Sequence, residues 1–483
     1  MTSSTNRPVT SPDPLLPGNA VPLARRCFLG RSAQGIGGLA LATMLGEQLN
    51  ATAAEPAVQV TKWPGALKTL HFPARTKRVI FLCMAGGASH LETWDHKPKL
   101  AEMNGKPMPE SYTKGQPIAQ LQGKKLTCLA PQHEFKKYGK SGQSFSSIFP
   151  HLGTVADEMC IIRSMKTEDA NHSSGVPKIL RGQPRNRGVT YPYLGSAVAK
   201  LMGPTESGLP PYVWVKPGNG GFIAKHAGFL GAKYGALALG DGKPPANLVR
   251  PDSISSAADA ARQELRRKFN RQFADRRRAN FNEANSYVYD VAGTLMKHVE
   301  LFDEAKLSEK DRRRYGTHDL GRHVLLARRL IEAGVRFVQV TSYGWDTHGD
   351  NFNSHASRMP KVDQSVTALI EDLYDRGLDE RVLVVMMAEF GRTPRINGSV
   401  GRDHWPNAWS VAMAGCGIRP GTVVGETLPD GTDVKTTPYD IGHMFHTWFS
   451  AVGLDSAEAQ YMNGTQPLPI AHDDMHKVDE LLI

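Results

Sequence analysis

An α/β sandwich built on a mostly parallel sheet is the fold this sequence predicts, and three observations predict it. Continuous apolar runs of strand length recur along the chain. Helix-length amphipathic segments separate them. Each run ends in a cluster of Gly, Asp, His or Glu. Parallel strands are buried on both faces and so read as unbroken apolar runs, and their alternation with helices marks an α/β sheet. Chemistry in such sheets collects beyond the carboxyl ends of the strands.

Taken in order, Arg78 to Met84 reads as a fully buried strand, a continuous apolar run that ends at Gly86-Gly87. Residues 101 to 150, rich in Gly, Lys, Pro and Ser, predict a long surface excursion. A helix and then a strand at Met159 to Ile162 follow. Residues 183 to 260 are loop-rich with one apolar strand at Tyr212 to Val215, and 256 to about 334 is strongly helical. Gly334 caps the last of these helices, and a strand from Val335 to Val340 begins at once. A helix around 361 to 374, a strand from Val382 to Met387, a strand at 409 to 414 and a closing helix near 440 to 452 complete the pattern.

The N-terminus predicts export. Arg25 and Arg26 stand just ahead of Cys27-Phe28-Leu29, an uncharged apolar run covers Ile36 to Leu45, and Ala51-Thr52-Ala53 is a small-x-small cleavage triplet. A basic region, a short apolar region and such a triplet form a signal peptide, and the paired arginines mark its twin-arginine (Tat) form. Residues 1–53 are thus expected to be the leader, 54–77 a lead-in, and 78–483 the α/β domain with a helical insertion at about 256–316. The expected partner during export is the Tat translocase and the expected location is periplasmic or extracellular, reached already folded.

Composition narrows the classes. An apolar fraction of 40% and a charged fraction of 22% suit a globular protein, and no segment after the leader has the roughly 20 apolar residues of a membrane span. Beyond Cys27, the cysteines Cys83, Cys128, Cys160 and Cys416 are scattered without any CxxC spacing. Buried free thiols are expected, not a disulfide framework or a zinc finger. The net charge of +11 concentrates in Arg262 to Arg278 and in Arg312 to Arg314. In the first stretch Leu265, Phe269 and Phe273 recur at i, i+4, i+8 with arginines on the other faces, which predicts a helix whose basic side is solvated or meets an anionic partner. No recognition motif for nucleic acid accompanies it.

Four strand ends carry the candidate chemistry. They are Gly86 to His96, Thr167 to Gly175, Tyr343 to Asp350, and Ala388 to Pro394 with Gly401 to Trp405 close behind. Within them Asp346, His348, Glu389, Asp403 and His404 are the expected metal ligands, because imidazole with carboxylate is the donor set of zinc, manganese or iron. One or two divalent ions of this kind, calcium included, would clamp an anionic ester. Arg392 is expected to steady an oxyanion as a bidentate clamp.

The leader from Arg25 to Leu29, Gly86 to His90, Gly344 to His348, Glu389 to Pro394 and Gly401 to Pro406 together resemble an exported bacterial family catalogued as domain of unknown function fifteen-oh-one. The resemblance spans essentially the whole mature chain. That family looks like a branch of the alkaline phosphatase and sulfatase superfamily, which implies a three-layer α/β/α sandwich with a mostly parallel sheet, alkaline phosphatase-like. It also implies a nucleophile at a helix head upstream of Gly182. Here that position falls on His172, with Ser173 and Ser174 beside it. The Asp-x-x-x-His metal pair is echoed by Asp346 with His348 or Asp350, and the last histidine ligand by His404. The superfamily's Asp-His after a strand falls on Glu389-Phe390, which loses the histidine, and no aspartate directly follows the first strand. The cysteine motif that matures to formylglycine is absent. The resemblance therefore implies a metal-dependent hydrolase of phosphate or sulfate esters in which Ser173 or His172 attacks and Arg392 stabilises charge. The alternative is a non-catalytic periplasmic protein on the same fold that binds an anionic glycan or a protein partner.

Overall fold

The computed structural model describes residues 71, 76–110, 127–182, 187–274 and 279–483. The leader expected over 1–53 and most of the lead-in over 54–77 lie outside them.

Nine strands of the described residues form one sheet. They are β1 (Arg78–Met84), β2 (Met159–Met165), β3 (Tyr212–Lys216), β4 (Gly221–Ile223), β5 (Ala236–Gly240), β6 (Phe337–Ser342), β7 (Val382–Met387), β8 (Trp409–Gly415) and β9 (Thr422–Val424). Their order from edge to edge is β9-β2-β8-β7-β1-β6-β3-β5-β4. β1 lies between β7 and β6 and runs parallel to both, Arg78 level with Val382 and Val79 with Phe337. β3 and β5 continue the parallel run. β8 runs antiparallel to β7 and to β2, and β4 antiparallel to β5. A mostly parallel sheet is what the apolar runs predict.

Side chains of β1 alternate between two cores. Val79, Phe81 and Cys83 enter one, Ile80, Leu82 and Met84 the other, as the two-residue period of a strand requires. The main helices are α1 (His172–Arg181), α2 (Leu194–Met202), α3 (Ser256–Ala274), α4 (Ala279–Lys297), α5 (Glu309–Tyr315), α6 (Asp319–Glu332), α7 (Asn351–Asp375) and α8 (Ile441–Ala451). The Phe81 side is covered by α1, α2 and α8, through residues such as Ile179, Val198 and Phe445. The Leu82 side is covered by α4, α6 and α7, through residues such as Val291, Leu325 and Val366. Helices on both faces of one sheet make the three-layer α/β/α sandwich.

Four local expectations change. α7 starts at Asn351, not near 361, and runs through Pro360; a proline costs one backbone hydrogen bond there, and packing of Met359, Val362 and Val366 into the core outweighs it. β6 starts at Phe337, two residues after the expected Val335. The loop-rich stretch 183–260 also holds α2, β4 and β5. The stripe Leu265, Phe269, Phe273 does form on a helix, but α3 buries none of it: Phe269 is 56% and Phe273 49% exposed. α3 leans on α4 through an ion pair from Arg266 to Asp290 (3.1 Å) and through Arg266 over the ring of Tyr289. The four cysteines of the described residues are buried free thiols, as expected. No helix among the described residues is long and apolar enough to cross a membrane.

Candidate metal centre

The carboxyl ends of β1, β6 and β7 meet at one place because the central three strands are parallel neighbours. β6 delivers Tyr343-Gly344-Trp345 and then Asp346. Buried Trp345 fixes this turn, its backbone N–H donating to Ala85 O (3.4 Å) and its indole to Ser342 Oγ (3.2 Å). β1 delivers Gly86, and only glycine fits: its φ is +121° and an added Cβ would lie 2.4 Å from Asp346 N. β7 delivers buried Glu389. α1 brings His172 as its first residue, under an Asn171 cap whose side chain accepts from Ser173 N (2.9 Å). His404 arrives on a two-residue ribbon in which Gly391-Arg392 pairs with His404-Trp405.

These elements place three imidazoles around one carboxylate. Asp346 Oδ1 lies 3.0 Å from His404 Nε2 and 3.1 Å from His348 Nε2, and Asp346 Oδ2 lies 3.2 Å from His172 Nε2. His348 Nε2 and His404 Nε2 are 2.9 Å apart. Donor atoms of His172, Asp346 and His404 all fall within 4.8 Å of one another.

The far nitrogen of each ring is held by an acceptor. His404 Nδ1 meets Ala170 O (2.6 Å), His348 Nδ1 meets Asp403 Oδ1 (2.8 Å), and His172 Nδ1 meets Glu389 Oε1 (2.7 Å). A backbone carbonyl can only accept, and so can an ionised carboxylate; the Nδ1 atoms therefore carry the protons. In the neutral rings, all three Nε2 lone pairs then converge on a carboxylate that is itself rich in lone pairs. His172 Nε2, 3.2 Å from Asp346 Oδ2, has no well-formed hydrogen bond among the described residues. Such a cluster is stable only around cationic charge, supplied by protons or by a metal ion. Imidazoles that donate their other N–H to carboxylates or carbonyls are the usual arrangement around a bound metal.

Electrostatics follow the same geometry. Burial pushes the Asp346 carboxyl up, but the hydrogen-bonded Arg392 guanidinium outweighs it and holds it well below the usual carboxylate range. Asp403 is likewise held down by His348 and Asn397 against the effect of burial. Burial pushes His404 below the ordinary histidine value, with Asp346 opposing. The hydrogen bond to Glu389 raises His172. Side-chain exposure of 44% at Asp346 and 33% at His348 leaves the cluster open to a solute.

Of the residues singled out from sequence, Asp346, His348, His404, His172, Glu389, Asp403 and Arg392 are brought together. Glu389 and Asp403 touch the far sides of the rings, not the convergence point. Arg392 is fully buried; it donates through Nε to Gly87 O (2.8 Å), through Nη1 to Arg402 O (2.9 Å), and through Nη2 to Gly86 O, Trp345 O and Asp346 Oδ1. Ser173 is exposed, and its hydroxyl donates to Asn171 Oδ1 (2.7 Å). One support, Asn397, carried no sequence signal, and a second, Glu92, lay in the polar cluster after β1. Asn397 Nδ2 reaches both His348 O (2.9 Å) and Asp403 Oδ1 (3.0 Å). Glu92, fully buried, takes Arg402 through Nε (3.1 Å) and Nη2 (2.9 Å), tying the loop after β1 to the loop that bears Asp403 and His404.

Solved structures of the alkaline phosphatase and sulfatase group align with this chain. Alkaline phosphatase from the Antarctic bacterium TAB5 is 11% identical over 80% of this chain and 99% of that one, with a TM-score of 0.32. The C-terminal periplasmic domain of EcEptC from Escherichia coli, in complex with Zn, is 8% identical over 86% and 99%, with a TM-score of 0.33. PsFucS1 sulfatase from Pseudoalteromonas sp. is 13% identical over 83% and 71%, with a TM-score of 0.31. At these scores the likenesses are loose, and the chemistry of the centre stands on this chain's own side chains. No curated protein matches the sequence. The chain belongs to the family described as protein of unknown function (DUF1501), whose model matches residues 76–482.

Proposed function

We propose that this protein is an exported, metal-dependent hydrolase of phosphate or sulfate esters. The observation that carries the reading is the convergence of His172, His348 and His404 Nε2 on Asp346, with each Nδ1 held by an acceptor. Three imidazoles and one carboxylate fit zinc, manganese or iron, whereas calcium takes mainly oxygen ligands. A divalent ion held there supplies a Lewis acid for an anionic ester. His172 is accordingly reassigned from nucleophile to ligand.

The chain's own residues have distinct tasks. Glu389 and Asp403 hold the tautomer and direction of His172 and His348. Arg392, with its donors spent on backbone carbonyls and Asp346, is a positioning residue that keeps Asp346 ionised and aimed. Ser173, exposed in the first turn of α1, is the side-chain hydroxyl available to attack; a water is the other source of that oxygen. The leader of residues 1–53, Tat export and a periplasmic or extracellular location belong to the same reading. So does the division into a lead-in, the domain of residues 78–483 and its helical insertion.

The alternative, a non-catalytic binder of an anionic glycan or protein partner, draws support from α3, whose Phe269 and Phe273 are exposed beside arginines. Elemental analysis of the protein, purified from its exported fraction without chelator, separates the two. The expected result is about one equivalent of a transition metal, lost in both Asp346→Ala and His404→Ala, together with turnover of aryl phosphate or sulfate esters. A metal-free protein whose melting ignores chelator would sink the hydrolase reading.

A further inference from the structure

Beside the centre, on the face of the sheet that carries α1, lies a strip of aromatic rings capped by cations. β3 turns Tyr212, Trp214 and Lys216 toward this face, since Tyr212 belongs to the core beneath α1 and side chains alternate. The indole of Trp214 donates to Thr341 Oγ1 of β6 (2.8 Å). Tyr343 follows two residues later, three before Asp346, and is 51% exposed. Cys83 of β1 lies level with Thr341 of β6, so Tyr343 leaves β6 beside the end of β1.

The rings are coupled through His226. It is buried, and burial keeps it neutral by pushing it down to about 3. Its ring centroid is 4.3 Å from that of Tyr193 and 4.9 Å from that of Trp214. Arg181 lies over Tyr193 (5.0 Å) and Lys216 over Trp214 (5.5 Å). Apart from these rings, Arg181 Nε donates to Tyr191 O and Lys216 Nζ to Pro217 O, and neither cation pairs with a carboxylate among the described residues. Half-buried aromatics with uncompensated cations are a poor surface for water alone, because each ring offers an apolar face and each cation keeps charge to satisfy. Arg181 ends the helix whose first residue is His172, so the strip extends about 15 Å from the centre, the length of ten helical residues.

The geometry points to a binding strip for an anionic polysaccharide, with exposed Tyr343 as a platform for a sugar ring and Arg181 and Lys216 as partners of its sulfate or phosphate groups. This deepens the ester-hydrolase reading by naming the substrate as a polymer whose ester is presented to the centre while neighbouring sugars lie along the strip. It commits to a ring-built chain because an exposed aromatic ring beside two cations suits a pyranose that carries an anionic group. The shared chemistry is the anionic ester, and the test distinguishes sulfate from phosphate.

Isothermal titration of the whole exported protein with heparin, with phosphomannan and with neutral dextran, at about 0.15 M salt to suppress diffuse attraction, tests the strip. One or both polyanions should bind and dextran should not, and the tighter of the two identifies the ester. The double variant Tyr343→Ser/Lys216→Gln changes solvent-facing groups and should weaken that binding at least about tenfold, the scale of one lost charged contact plus one lost platform. Arg267→Gln/Lys268→Gln on α3 should leave it unchanged. Asp346→Ala should also bind, so the strip can hold even if the metal centre proves inert, and the two readings fail separately. Binding of neither polyanion, equal binding of dextran, or an equal loss in the α3 variant would each overturn the proposal.

Discussion

Glu389 and Asp403 act on the centre only through the far nitrogens of His172 and His348, and that distance from the metal position makes their contribution measurable. Each carboxylate fixes a proton on Nδ1 and so a lone pair on Nε2. Glu389 Oε1 also accepts Gly86 N–H (2.8 Å), so one atom sets both a ring and a loop. Glu389→Gln and Asp403→Asn preserve size and an accepting oxygen but remove the charge that favours the right tautomer. Each is expected to weaken metal affinity by about 10–100-fold while the fold is kept. Competition with a chelating indicator reads the affinity, and circular dichroism reads the fold. Unchanged affinity in both variants would remove these carboxylates from the centre. Arg392 belongs to the same scale: sequence offers no sign that a strand-end arginine faces five backbone and carboxylate acceptors instead of solvent.

At the scale of elements, the centre depends on loops from distant parts of the chain meeting without slack. Gly401 shows the tolerance: an added Cβ would lie 2.0 Å from the His348 backbone. The Glu92–Arg402 pair holds the same junction from below. Burial alone would raise the Glu92 carboxyl, but Arg402 holds it down at about 2. Glu92→Gln leaves a buried guanidinium uncompensated, and a loss of about 3–5 kcal/mol in unfolding free energy is expected. A denaturant midpoint within error of the parent would show the pair to be dispensable. The elements themselves were legible: β1, β7 and the end of α8 lie where apolar runs and period predicted them, and the strand-end clusters do hold the candidate centre. What stayed illegible was how the clusters face one another. A string such as Gly401 to Trp405 shows that Asp403 and His404 are neighbours, but not that one backs His348 while the other faces Asp346. That division is set by loop crossings at Gly86 and Gly401, which are tertiary facts. α7 begins ten residues before the expected 361 because the core it completes, around Met359 and Val362, lies on other elements.

For the whole molecule, the buried histidines set the response to acid. His90 and His355 are pushed down by burial to about 4 and His226 to about 3, and each is 2% exposed or less. His355 is also used as a neutral ring, accepting Ser89 N–H at Nε2 (3.0 Å) and facing Asn351 O at Nδ1 (2.8 Å). In the unfolded chain these rings return to about 6.5. The folded values are depressed, so their contribution is full above about pH 6.5 and is lost as pH falls toward 4. Over that window these three rings alone let the unfolded state bind up to three more protons than the native one, and His443, held at about 4, and the lowered His323 and His446 act in the same direction. Each extra proton steepens the fall in stability by about 1.4 kcal/mol per pH unit. Asp363 and Asp440, raised by burial, offset part of this because they take up protons in the folded state first. A domain of ordinary stability, about 5–15 kcal/mol, would then lose most of its margin between pH 6.5 and 4. Urea midpoints at pH 7, 5.5 and 4.5 should fall in that order. His226→Phe keeps a ring between Tyr193 and Trp214 and should flatten the slope by about one proton. Midpoints that stay level from pH 7 to 4.5 would mean that these histidines are protonated in the folded protein, and the neutral stacking role of His226 would fall with them.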